Sequence, residues 1–144
     1  HIVTATTLHS LAVSFREVGD YQQSKELLLR SLDIVERQLG PGHLLTANTL
    51  QSLATVLREL GDVERSKEVL ERCLSAMQTS LGPRHVKTAC ALQSLAITLR
   101  EFGDPARSRA LLERSLACME RQFGPDHIKT AGVLQSLGIT LNEL

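Results

Sequence analysis

The chain has 144 residues, 42% hydrophobic and 22% charged, with 16 basic residues balanced by 16 acidic ones. Zero formal charge argues against nucleic-acid binding, which draws on an excess of Lys and Arg to neutralise phosphates. No apolar stretch approaches the roughly 20 residues of a membrane helix, and no basic start followed by an apolar segment marks a signal peptide.

The first predicted helix carries Leu8, Leu11, Ala12, Phe15 and Val18, whose spacing places them on one stripe. Gly19-Asp20 ends it. A glycine just past a helix can take the left-handed conformation that closes it, and an aspartate can accept bonds from the free N–H groups of the next helix. The second predicted helix carries Leu28, Leu32, Val35 and Leu39 and stops at Gly40-Pro41, after which His43 leads into a third helix. From His43 the whole pattern starts again. The second stripe returns as Leu70, Leu74, Met77 and Leu81, and the turns return as Gly61-Asp62, Gly82-Pro83, Gly103-Asp104 and Gly124-Pro125. Pro105 follows Asp104 directly, at the first helical position, where a missing N–H costs little.

The period is 42 residues, as His1, His43, His85 and His127 show, and as Thr46, Thr88 and Thr130, Leu53, Leu95 and Leu137, and Arg16, Arg58 and Arg100 repeat. Self-similarity on this scale predicts a solenoid or a propeller. Propeller blades would need alternating, β-branched strands, and none is present. The expectation is an all-α chain forming a single repeat array over residues 1–144, with repeats at about 1–42, 43–84 and 85–126 and a partial one at 127–144. Neither amphipathic helix buries its stripe alone, so each hairpin must close on itself and stack on its neighbour.

The same rows remove most chemistry. Four recurring histidines suggest a metal, but equivalent positions in stacked hairpins lie roughly 20 Å apart, whereas zinc ligands each sit about 2 Å from the ion. Each such His is expected to anchor a loop or cap a helix. His9 stands in a row with Gln51, Gln93 and Gln135, which favours a surface role. Cys73, Cys90 and Cys118 are odd in number and lack paired short spacings. Cys73 replaces Ser31 and Ser115, and Cys118 replaces Ile34 and Ala76, so both read as packing residues. Unpaired thiols fit a cytoplasmic location. Each of the recurring glycines stands at a helix boundary, so no phosphate-cradling loop and no cofactor are implied, and no catalytic constellation stands apart from the repeat.

These residues resemble the tetratricopeptide repeats. Leu53-Ala54 falls on that family's Leu-Gly pair, Gly61-Asp62 on its turn, Leu70 on its Phe, and Leu74 on the apolar residue after its second Ala. Leu8, Leu50 and Leu92, then Phe15, Leu57 and Leu99, take its aromatic places. Its two Ala places hold Ser24, Ser66 and Ser108, then Ser31, Cys73 and Ser115, small residues whose hydroxyls are expected to bond back to their own helix. The Leu/Phe-Gly-Pro-x-His segment is similar to the longer subtype of kinesin light chains and nephrocystin-3-like proteins, with Leu44, Val86 or Ile128 where that subtype has Pro.

The resemblance implies a right-handed α-solenoid of antiparallel helix pairs whose first helices line a concave groove. Its groove positions carry over as Thr6, Asn48, Cys90 and Gly132; as His9, Gln51, Gln93 and Gln135; and as Ser10, Ser52, Ser94 and Ser136. Val13, Thr55, Ile97 and Ile139 follow, and then the Arg16, Arg58 and Arg100 row. Such a groove implies a peptide or partner protein as ligand, with Gln and Ser bonding its backbone, branched side chains holding apolar anchors and Arg meeting carboxylates. Two departures shape this expectation. Ser occupies the place where peptide-clamping relatives have Asn, and Glu17, Glu59, Glu101 and Glu143 can pair with the Arg row. The alternative is a structural, self-associating array, consensus-like or a fragment, whose open apolar end stacks on a neighbouring copy.

Overall fold

Every predicted turn is a helix boundary. The computed structural model describes residues 1–144, which form seven helices and no strand: α1 (Ile2–Glu17), α2 (Tyr21–Leu39), α3 (Leu44–Glu59), α4 (Val63–Leu81), α5 (Val86–Phe102), α6 (Pro105–Phe123) and α7 (Ile128–Asn142). Gly61 shows how one turn serves two helices. At φ +83° it lies in the left-handed region, its N–H bonds the Arg58 carbonyl at 3.0 Å, and the Asp62 N–H bonds that of Leu57 at 2.9 Å. The Asp62 carboxylate then accepts from the Arg65 N–H at 3.2 Å, capping α4. Asp20 and Asp104 do the same for α2 and α6, and Pro105 is the first residue of α6.

The Gly-Pro-x-His segments close differently. Nδ1 of His43, His85 and His127 accepts the N–H two residues on, each at 3.1 Å, and His1 does so at 3.3 Å. These are the N-caps of α3, α5, α7 and α1. Thr46, Thr88 and Thr130 each donate to the carbonyl of the glycine before the proline, at 2.8 Å. Three of the rows that repeat with the period, those of Gly, His and Thr, are therefore turn chemistry. His127 also stacks on Phe123, with ring centroids 4.4 Å apart, and Lys129 lies over the same ring.

The helices fall into two compact units, His1–Ser80 and Leu81–Leu144. In the first, Ser24 donates to the Ala12 carbonyl and Ser31 to that of Ala5, while Ser66 donates to Ala54 and Cys73 to Ala47. As one number rises the other falls, so α1/α2 and α3/α4 are antiparallel pairs. The small residues thus bond across to the partner helix, which corrects the expectation that each hydroxyl bonds back to its own. They sit where the two backbones come close enough for a serine to span the gap. The core of this unit includes Leu28, Leu32, Val35, Leu53, Val56, Leu57 and Leu70. The α1 stripe is only partly buried: Ala12 is covered, but Leu11 is 47% and Val18 78% exposed. The equivalent Leu53 on α3 is covered because α2 packs against that helix.

In the second unit α6 packs on α5 and α7. Ser115 donates to the Ala89 carbonyl at 2.9 Å, and the Ser108 and Thr140 hydroxyls meet at 3.4 Å. Ala89, Ala96, Leu112, Cys118, Met119 and Val133 form its core, with Leu111, Leu116, Phe123 and Leu137 packed against them.

Candidate partner-binding surface

The ten residues expected to bind a partner divide evenly between the units. Asn48, Gln51, Ser52, Thr55 and Arg58 lie on α3, and Cys90, Gln93, Ser94, Ile97 and Arg100 lie on α5. Helical spacing accounts for their alignment: residues three and four apart share a face.

In the first unit α3 presents this face beside the matching face of α1. His9 Nε2 and Ser52 Oγ are 2.8 Å apart, joining the two helices. Burial, then the Arg16 guanidinium, holds the His9 imidazole below its ordinary value of 6.5, so His9 is the neutral partner in this bond at neutral pH. Gln51 Oε1 accepts from Cys73 Sγ at 3.5 Å, tying the row to α4, and Thr55 donates to the Gln51 carbonyl. Burial pushes the Cys73 thiol up to about 12, which keeps it protonated and unreactive. Arg58 is exposed.

The second unit repeats the arrangement with different residues. Gln93 Nε2 donates to Ser136 Oγ at 3.4 Å, the same 43-residue offset as His9 to Ser52. The Gln/His row and the Ser row are therefore partly engaged with one another, bridging neighbouring first helices, which the sequence rows alone did not indicate. Cys90 is exposed; burial of its sulfur raises the thiol, and Lys129 opposes that shift. Ile97 is half-buried and Ile139 is 42% exposed, giving an apolar pad. Arg100 Nε lies 3.9 Å from Glu143, and its Nη1 is buried without a hydrogen-bond partner. This pair joins the Arg of one repeat to the Glu of the next, so part of the Arg row is an ion-pair array.

One feature of this face escaped the row-by-row reading. A cavity of about 60 Å³ opens between α1 and α3 above α2, lined by Ala5, Thr6, His9, Ser31, Val35, Leu45, Asn48 and Thr49. Its signal in the sequence is Val35, which stands where the following repeats have Met77 and Met119.

The sequence matches the profile of the tetratricopeptide repeat over residues 3–79 and again over residues 52–121. No curated protein matches the chain. Among solved structures it is similar to a Podosopora anserina protein assigned as a kinesin light chain, with nearly identical TPR-like repeats: TM-score 0.87 at 21% identity, over 97% of this chain and 66% of that one. A point variant of that protein gives TM-score 0.88 at 21% identity with the same coverage. BtubC (BKLC) from P. vanneervenii gives 0.89 at 18% identity, over 96% of this chain and 55% of that one. The chain thus spans 66% or less of the length of these proteins, and at such identities the likeness is one of fold. Profile matches covering most of its length, together with a fold like that of these kinesin light chain-like repeat structures, place the chain in the tetratricopeptide repeat family.

Proposed function

We propose that this protein-interaction repeat scaffold binds an extended peptide segment of a partner protein on the faces carried by α1, α3, α5 and α7. The observation that carries the reading is the make-up of those faces. Asn48, Gln51, Ser52 and Thr55 on α3 in one unit, and Gln93, Ser94 and Ile97 on α5 in the other, are half-buried polar and branched side chains, each set on one face of its helix. An extended peptide needs that combination: hydrogen-bonding groups for its amides and apolar pads for alternate side chains. The exposed sides of the second helices are instead charged and locally paired, as in Arg37 with Asp33 and Arg109 with Glu113. No helix is long and apolar enough to cross a membrane.

A peptide-library selection tests this. Selected peptides are expected to lose binding to a Thr55→Arg/Ile97→Arg chain, which places bulk and charge in the rows. Retained binding would move the site elsewhere. A second reading, self-association, is favoured by the apolar cleft of about 250 Å³ that Leu11, Ser14, Phe15 and Val18 form on α1. Light scattering over a concentration series decides it, since a strict monomer at high concentration removes that reading.

A further inference from the structure

The first unit holds a cavity because one side chain is shorter than its counterparts. Met77 and Met119, at the register of Val35, are buried to 4% and 1% exposure. Val35 is equally buried at 2%, yet leaves about 60 Å³ open above it. The walls are apolar in effect. Ser31 and Thr49 line the cavity, but their hydroxyls are spent on the carbonyls of Ala5 and Leu45, both at 2.8 Å. His9 Nε2 is likewise held by Ser52. Ala5, Ser31, Val35 and Thr49 are buried, whereas Thr6 is exposed and His9, Leu45 and Asn48 are half-exposed, so the mouth lies among these last four. Among the polar lining side chains the Asn48 amide alone has no bond within the chain. It offers one donor pair and one acceptor, the complement of a peptide group.

We infer that this cavity is a socket for one branched aliphatic side chain, valine or isoleucine, of an extended ligand chain whose adjoining peptide group bonds to Asn48. Size sets the class. A site for one water needs roughly 10–15 Å³, and a cavity that takes benzene has about 150 Å³. The socket lies between these, so it admits a three- or four-carbon group and excludes an aromatic ring. The socket deepens the peptide-binding reading and rests on it only for the chain that carries the side chain.

N-acetylvaline methylamide is the probe, titrated into the full chain while the methyl resonances of Val35 and Leu45 are followed. The expected result is a saturable shift with a dissociation constant on the order of millimolar, absent with the glycine and phenylalanine analogues. Val35→Met, the residue two other repeats use at this register, is expected to weaken binding by about tenfold or more. Val35→Ile provides a graded version with a smaller insertion, and Asn48→Ala, which removes the amide at the mouth and leaves the floor at Val35 unchanged, a several-fold loss. Equal binding by wild type and Val35→Met, or by the valine and glycine probes, or no saturable binding by wild type, overturns the socket. The peptide selection separates the two readings. Peptides that bind wild type and Val35→Met alike, with no valine or isoleucine preference, leave the surface reading standing and overturn the socket. A probe that saturates while no peptide is selected upholds the socket and counts against the surface reading.

Discussion

At the residue scale, a serine in the interior of a helix pair supplies two things that alanine supplies only in part. It is small enough for backbones to approach, and its hydroxyl reaches the carbonyl of the facing helix, as Ser66 reaches Ala54 at 3.0 Å. Removing such a buried hydroxyl costs about 1 kcal/mol, so Ser66→Ala should lower stability by that amount in denaturant titrations. An unchanged midpoint would show that size alone matters. His9 sets a pH dependence. Its folded-state affinity for protons is lowered, first by burial and then by Arg16. The unfolded chain therefore binds protons more readily, and this group's contribution falls as pH drops through the ordinary imidazole value of 6.5 and below it. His9→Gln, the residue of the other three repeats, should reduce the loss of melting temperature over that interval, and an identical loss would remove His9 as a cause. Much of this scale was hidden from the sequence. Periodicity gave Ser24 and Ser66 as small residues, but the direction of a hydroxyl depends on where the neighbouring backbone runs. Val35 was visible as a short residue in a methionine row, but only a packed structure shows whether neighbours close the gap.

At the scale of elements, boundaries were legible because each rests on local chemistry. A glycine at positive φ followed by Asp, and a His two residues after Pro, state a stop and a start without reference to the rest of the fold. Gly61 needs its φ of +83° and nothing else, since a Cβ there would meet no atom within 4 Å. The His caps carry a direct prediction. His85→Ala should cost about 1 kcal/mol by removing the acceptor for the Lys87 N–H, and His85→Asp should restore most of it. Equal stability of the Ala and Asp variants would mean that the cap contributes nothing. Burial of whole stripes was less legible. The α1 stripe has the same spacing as the others, yet Leu11 and Val18 stay exposed because periodicity describes the helix and not what covers it.

At the scale of the molecule, the repeat places chemically matched faces on α1 and α3 in one unit and on α5 and α7 in the other. The bonds His9–Ser52 and Gln93–Ser136 show that these faces spend some of their polar groups on joining first helices. What remains for a partner is narrower than the sequence rows suggested: the Asn48 amide, the branched side chains of Thr55 and Ile97, and those guanidinium N–H groups that the Arg row does not already engage within the chain. The most direct test is the affinity of a library-selected peptide for three proteins. These are the wild type, an Arg58→Ala/Arg100→Ala chain altered on the first helices, and an Arg30→Ala/Arg114→Ala chain with the same loss of charge on α2 and α6. A first-helix surface predicts a loss of about tenfold or more for the first variant, from broken charge-assisted bonds, and wild-type affinity for the second. The reverse pattern, with affinity lost only when Arg30 and Arg114 are removed, would contradict it.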